Sequence, residues 1–156
     1  MRWLLAGIFS ALFGFAIMFT GLVRLPLTAG DRATIRQYEA LRSALAHDQL
    51  GEAKSAAFAL ANNHEAKQGF VVPALAISQS ETLDAAREHF IAMCEAAVGL
   101  VEHRSGFFVM HCSIQQCTER CENCPMDHFG NWVQVSPTVE NPFMGKARIH
   151  CGNIKL

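Results

Sequence analysis

The last third of this 156-residue sequence concentrates side chains that bind soft metal ions. Five of the six cysteines lie after residue 107, namely Cys112, Cys117, Cys121, Cys124 and Cys151. His111, Met126 and His150 lie among them. Thiolate, thioether and imidazole groups together select Cu(I) or zinc over magnesium or calcium. The residue types in this segment therefore predict a soft-metal site.

The spacing of these cysteines leaves three kinds of chemistry open. Cys121 and Cys124 form a CxxC pair, which puts two sulfurs within reach of one metal ion or of each other. A structural zinc ion could take its four ligands from this pair together with Cys112 and Cys117. Disulfides are the third possibility, because small secreted domains often use an even number of cysteines as cross-links. No serine or cysteine has an identifiable base beside it, so we expect no enzyme.

The elements that must position this segment begin with a helical region. Apolar residues recur every three or four positions, which predicts helices over 31–47, 49–61 and 83–103. Residues 65–77 contain Gly69 and Pro73, and we interpret them as a short helix or a bent connection. The run from Ser78 to Glu81 fits a capping box that opens the last helix. We expect Cys94 to be a small buried side chain of that helix.

These patterns predict a mainly α fold in four parts. An antiparallel three- or four-helix bundle occupies 33–106. A small extended or β segment over 107–156 packs on it, with strand-like runs at 107–110, 131–135 and 147–150. A transmembrane helix within 1–24 and a linker over 25–32 precede the bundle.

The N-terminal part is predicted from the 21 residues 3–23, which carry no charge and lie between Arg2 and Arg24. As a helix this run would be about 30 Å long, which matches the hydrocarbon core of a bilayer. We interpret it as a signal-anchor, with a cleaved signal peptide as the alternative. The net charge of −1 gives no basic surface, so we expect no nucleic-acid partner.

The C-terminal sequence resembles a bacterial domain of unknown function. That domain occurs alone and at the C-terminus of Cus-type periplasmic adaptors of heavy-metal efflux pumps. The resemblance rests on four runs, which are Cys124-Pro-Met126, Asn131-Trp132-Val-Gln134, Asn141-Pro-Phe-Met-Gly145-Lys and Cys151-Gly152-Asn-Ile154. A Tyr38-x-x-Leu41-x-x-Ala44-Leu45 run resembles the opening of its helical part, so the similarity covers about residues 33–156.

The resemblance implies a helical domain that presents a Cys/Met cluster to copper or a related soft metal. The positions that match the family pattern are Cys124, Met126 and Cys151. The family's methionine three residues before the last cysteine is Arg148 here, and His150 or Met144 could replace it as a ligand. The additional cysteines Cys112, Cys117 and Cys121, together with His111, are expected to be auxiliary or structural.

The implied ligands are chemically reasonable, because Cu(I) accepts two or three soft donors. Cys124, Met126 and Cys151 would supply three sulfurs if the chain folds back between them. Pro142 favours extended geometry before it and Gly145 can take a positive φ, so the NPFMG run allows such a return. The same proximity would permit a Cys124–Cys151 disulfide. We therefore expect a single-pass protein of the bacterial inner membrane, with a periplasmic domain that serves a metal-efflux or envelope complex.

Overall fold

The computed structural model describes residues 26–102, 104–112 and 130–155. Within these ranges the helices are α1 (Ala29–Ala46), α2 (Leu50–Ala61), α3 (Gln68–Gln79) and α4 (Leu83–Val101). The strands are β1 (Phe108–His111), β2 (Asn131–Gln134) and β3 (Asn153–Ile154), and a 3-10 helix occupies Lys146–Arg148. The predicted mainly α class is confirmed, and the strands form a small antiparallel sheet.

Capping side chains define where two of the helices begin. Thr28 and Asp31 form a reciprocal capping box at α1, in which the Asp31 N–H donates to Thr28 Oγ1 over 3.0 Å. α4 begins with Thr82, whose hydroxyl accepts the N–H of Ala85. The capping box predicted at residues 78–81 is therefore wrong. Ser78 still belongs to α3, and its hydroxyl donates to the carbonyl of Leu75.

Of the two alternatives for residues 65–77, a short helix or a bent connection, the structure shows a helix, α3, which begins at Gln68 and contains Pro73. Proline has no N–H to donate to the carbonyl four residues earlier, which belongs to Gly69. Gly69 is exposed, so water can reach this part of the backbone. Burial of Phe70, Ala74 and Ile77 in the core stabilises the helix despite the proline.

Successive helices pack against each other, and α1 also contacts α4. Tyr38 of α1 lies at the centre, stacked on Phe90 with ring centroids 5.3 Å apart and edge-on to Phe70. Phe90 contacts Phe143, which lies edge-on to Trp132 of β2. A continuous series of aromatic contacts thus joins the helices to the C-terminal sheet. Offset or edge-on ring pairs of this kind stabilise a core by more than the burial of their apolar area alone.

The sheet has the strand order β2-β1-β3, so β1 lies in the middle. Met110 of β1 lies opposite Trp132 on one side and Ile154 on the other. The strand predicted at 147–150 is wrong, because these residues continue the 3-10 helix and a turn. There the Arg148 N–H donates to the Gly145 carbonyl, so a local turn satisfies the backbone instead of a strand partner.

The apolar run 3–23 lies outside the described residues. Among the helices that the structure does describe, none has the length and apolar character needed to cross a bilayer.

Candidate functional site

Strand register brings two of the predicted ligand residues to one end of the sheet. The Cys112 N–H donates to the Gly130 carbonyl, so the ends of the connection 113–129 are held side by side. His111 pairs with Asn153 in β3, and continuing this antiparallel register places Cys112 opposite Gly152, next to Cys151. Cys112 is buried and Cys151 is half-buried. Both cysteines therefore lie where the cysteine-rich connection leaves the sheet.

Asn141 holds the segment that carries Cys151. Its side chain is fully buried, and Nδ2 donates to the Cys151 carbonyl over 2.6 Å. Its Oδ1 accepts the N–H of Phe143 over 2.9 Å, and its own N–H donates to the Ile149 carbonyl. The side chain and the backbone N–H of Asn141 thus tie the start of the NPFMG run to residues 149–151. The position of Cys151 is set by this network and not by strand pairing alone.

Arg42 fixes the residue before this network. The guanidinium of this buried α1 residue donates to the Glu140 carbonyl over 2.7 Å and to the Glu140 carboxylate over 2.8 Å. It also forms an ion pair with Glu39, one turn earlier on the same helix. Glu140 is therefore half-buried and paired. A charged side chain of a loop thus anchors the segment to α1.

A second arginine, Arg87 of α4, fixes the other end of the NPFMG run. Its guanidinium donates to the carbonyls of Pro142 and Leu45, each over 2.9 Å, and pairs with Asp48 over 2.5 Å. The other carboxylate oxygen of Asp48 accepts the Lys146 N–H. Partial burial acts to raise the pKa of Asp48, but these hydrogen bonds and charges outweigh it and the pKa is lowered.

Gly145 allows this clamp to close. Its φ is +65°, as the sequence analysis anticipated, and a Cβ there would collide with the Asp48 carboxylate and the Arg87 guanidinium. Only glycine fits a position that combines this conformation with so close an approach of side chains.

A buried hydroxyl joins β2 to the helices. Val133 directs its N–H away from β1, at the open edge of β2, and donates it to the Tyr38 hydroxyl over 3.1 Å. This hydroxyl lies 3.5 Å from Sγ of Cys94. Burial raises the pKa of Cys94 to about 12, and burial beside that sulfur raises the pKa of Tyr38. Cys94 is thus a neutral, inert core thiol, as expected.

Two histidines near the sheet end have one ring nitrogen engaged. Nδ1 of His150 lies 2.7 Å from the Val139 carbonyl, which requires a proton on Nδ1 and leaves Nε2 as an acceptor. Nδ1 of His111 lies 3.0 Å from Oδ1 of Asn131. Both imidazoles are exposed. Metal-ligating histidines are oriented in this way, with one nitrogen held by a second group.

A shallow groove of about 450 Å³ lies beside the base of the cysteine-rich connection. Residues of α4 and of the sheet end line it, namely Ile91, Glu95, Val98, His111, Gly130 and Asn131. The groove gives solvent access to the side of the sheet end on which His111 lies.

The remaining predicted ligands, Cys117, Cys121, Cys124 and Met126, lie outside the described residues. Among residues 26–102, 104–112 and 130–155, no three His, Cys, Asp or Glu side chains come together as a metal-binding group. The described part thus contributes Cys112, Cys151 and His150, which the fold places at or near one sheet end. The CxxC pair itself stays a prediction.

The residues that sequence reasoning missed are those that position the others. Arg42, Arg87 and Asp48 lie on or next to helices, where a charged residue is ordinarily assigned to the solvent face. The usable signal was their position, because Arg42 follows the apolar Leu41 directly and Arg87 follows Ala86, both on the buried stripes. Comparison of the chain with protein-family models, with curated proteins and with solved structures finds no match to any of them.

Proposed function

We propose that this chain is a membrane-tethered domain that binds a soft metal ion, Cu(I) before zinc, in metal homeostasis or efflux. Residues 1–24 would form the tether, and the four helices an antiparallel bundle that faces the periplasm. Cys124, Met126 and Cys151 would bind the metal directly. Cys112, Cys117, Cys121 and His150 would supply auxiliary ligands or structural support. The chain would have no catalytic role.

The observation that carries this proposal is the register of the sheet. β1 and β3 put Cys112 and Cys151 at the end from which residues 113–129 leave and return. That connection carries three further cysteines and a methionine. Candidate ligands that are far apart in sequence therefore lie at one end of the sheet. This supports a metal site assembled at that end, because a metal ion needs several ligands close together.

The donor chemistry of the described residues fits a soft ion. The described side chains at or near the sheet end include Cys112, Cys151, His111 and His150, whose sulfur and imidazole groups suit a soft ion, whereas magnesium or calcium would need a mainly oxygen set. Asn141 binds the backbone carbonyl of Cys151, while Arg42 and Arg87 anchor the residues Glu140 and Pro142 on either side of Asn141. A ligand that is already in place lowers the ordering cost of binding.

The proposed setting follows from the sequence. The uncharged run 3–23 supports a single-pass tether in the bacterial inner membrane, and the resemblance to the C-terminal domain of efflux-pump adaptors supports a partner in an envelope complex. A thiol-based copper site in the periplasm must resist oxidation. The competing arrangement is a disulfide-stabilised, non-catalytic interaction domain of the envelope.

Anaerobic titration with Cu(I) tests the proposal. The full chain in detergent, reduced and freed of metal, is titrated against a colorimetric Cu(I) chelator. We expect one tightly bound ion, with affinity lost in Cys124→Ser and in Cys151→Ser. Cys94→Ala is the matched control, because it removes the one cysteine buried in the helical core, and it leaves the affinity unchanged.

Three results separate the alternatives. Failure of the reduced chain to bind Cu(I), with at most one free thiol in protein isolated without reductant, assigns the cysteines to disulfides and overturns the proposal. Zinc binding that is tighter than Cu(I) binding and that needs Cys112 and Cys117 assigns a structural zinc site. Retained affinity in Cys151→Ser removes Cys151 from the ligand set.

A further inference from the structure

Two helices present exposed apolar side chains and carry only two charged residues, the exposed Glu52 and the half-buried Lys54 near the start of α2. Phe58 of α2 and Val72 of α3 are each 63% exposed, and Leu75 of α3 is 51% exposed. We call these three side chains the α2–α3 face. The other exposed residues of the two helices are Gly51, Glu52, Ser55, Ala59, Gln68, Gly69 and Gln79. Exposed apolar groups on so uncharged a surface indicate a contact with another apolar surface.

The α2–α3 face lies alongside the first turns of α1. Gln37 of α1 donates to the Ala59 carbonyl, next to Phe58 in the chain, over 3.5 Å. The turn between α2 and α3 is tied to the same end of α1, since Asn63 donates to Gln37 over 2.8 Å and Lys67 pairs with Asp31 over 3.7 Å. These contacts fix the α2–α3 face near the N-terminus of α1.

That end of α1 is where the chain arrives from the apolar run 3–23. Five residues separate Val23 from Ala29, and the six steps between their Cα atoms span at most about 20–22 Å when extended. Gln37, level with the face, lies eight residues into α1, or about 12 Å along its axis. If residues 3–23 cross a bilayer, the α2–α3 face is therefore within reach of its surface.

The exposed charges on the first turns of α1 suit the same surface. Arg32, Arg36 and Lys67 are exposed, and Lys67 pairs with the half-buried Asp31, so these cations outnumber the exposed carboxylate Glu65 next to Gly30. Arginines beside an apolar face favour a bilayer that contains anionic lipid, because the charges interact with headgroups while the apolar groups enter the interface.

We propose that the α2–α3 face rests on the surface of an anionic phospholipid bilayer, the one in which the N-terminal segment is anchored. The inference rests on the tether of the proposed function and not on its metal site. A small face suffices, because the tether makes the contact intramolecular and raises its effective concentration. The sheet packs against α4, not against the two helices that carry the face.

Quenching by brominated lipid tests the contact. The full chain is reconstituted in vesicles of phosphatidylethanolamine and phosphatidylglycerol, with Trp3→Phe as background so that the buried Trp132 gives a constant signal. In Phe58→Trp, we expect brominated acyl chains to quench the new tryptophan and to reduce its emission. Val135→Trp is the matched control, because Val135 is an apolar residue 52% exposed beyond the end of β2, and its emission stays unchanged.

Each other outcome overturns the inference. The outcomes differ in whether they also refute the N-terminal tether. If the chain stays with the vesicles after alkaline extraction but the tryptophan at position 58 is not quenched, the tether stands and the contact is refuted. If alkaline extraction releases the chain, tether and contact both fail, while the Cu(I) titration still decides the metal site. If shielding at position 58 depends on the protein-to-lipid ratio and not on bromination, the face binds a second copy of the chain.

Discussion

Replacement of Asn141 by alanine tests whether a single buried amide holds Cys151 in place. The substitution removes the 2.6 Å bond from Nδ2 to the Cys151 carbonyl and the 2.9 Å bond from the Phe143 N–H to Oδ1. Asn141 and Phe143 are buried, so water does not readily replace the lost acceptor of the Phe143 N–H. The backbone bond from Asn141 to Ile149 is unaffected, and the NPFMG run keeps its entry into the turn.

The expected cost follows from these contacts. Each of the two hydrogen bonds contributes about 1 kcal/mol net, and the Phe143 N–H left without an acceptor adds a desolvation cost of about 1–3 kcal/mol. We therefore expect Asn141→Ala to lower the free energy of unfolding by about 3–5 kcal/mol. That is a large part of the total stability of an ordinary domain.

Urea denaturation of residues 26–156 measures this cost, and the fragment retains Thr28, which caps α1. Asn62→Ala is the matched control, because Asn62 makes one exposed hydrogen bond to the Phe58 carbonyl. We expect the control to change stability by less than about 0.5 kcal/mol. Under native, reducing conditions, Asn141→Ala should also increase the alkylation rate of Cys151 while Cys94 stays protected.

Three results would refute this reasoning. Equal stability of Asn141→Ala and Asn62→Ala would show that the buried amide contributes nothing beyond an exposed one. Unchanged alkylation of Cys151 at reduced stability would show that Asn141 stabilises the fold without positioning the cysteine. A parallel rise in Cys94 alkylation would indicate global unfolding, and then the local interpretation fails.

Three further predictions follow from single contacts. Tyr38→Phe keeps the ring but leaves a buried N–H of β2 without its acceptor, so we expect a loss of about 1–3 kcal/mol in urea denaturation. Gly145→Ala forces a side chain into a left-handed position against Asp48 and should cost about 1–3 kcal/mol by the same assay, whereas Gly51→Ala, with no neighbour within 4 Å, should not destabilise. The pKa of Cys94 is raised from 9.0 to about 12. The stability gained from its neutral thiol is therefore present below pH 9 and is lost as the pH rises towards 12. Over this range the parent chain should lose more stability than the Cys94→Ala variant does.

Each of these has an outcome that contradicts it. A Tyr38→Phe variant as stable as the parent would mean that the edge of β2 finds another acceptor. Equal effects at Gly145 and Gly51 would remove the argument from positive φ. Identical alkaline stability curves with and without the Cys94 thiol would mean that its burial is not coupled to folding.

Local patterns were sufficient to predict the helices of this chain. The 3.6-residue period predicted α1, α2 and α4 to within a few residues, because each buries one face in a shared core. α3 was ambiguous, since Gly69 and Pro73 are locally unfavourable and its stability comes from burial against its neighbours. The start of α4 was misplaced because capping patterns are common in sequences. The pattern at residues 78–81 is excluded only because α3 continues to Gln79.

Some features of the candidate site could also be predicted from the sequence, whereas others depend on the tertiary structure. The sequence alone determined which donors are available, since thiolate, thioether and imidazole chemistry depends on residue type. It also determined that Gly145 could adopt a positive φ. Only the tertiary structure decided that Cys112 and Cys151 share a sheet end, and that Arg42 and Arg87 hold the segment between β2 and β3. The physical reason is that these contacts join residues about 40 to 100 positions apart, and no local period or spacing specifies which distant groups meet.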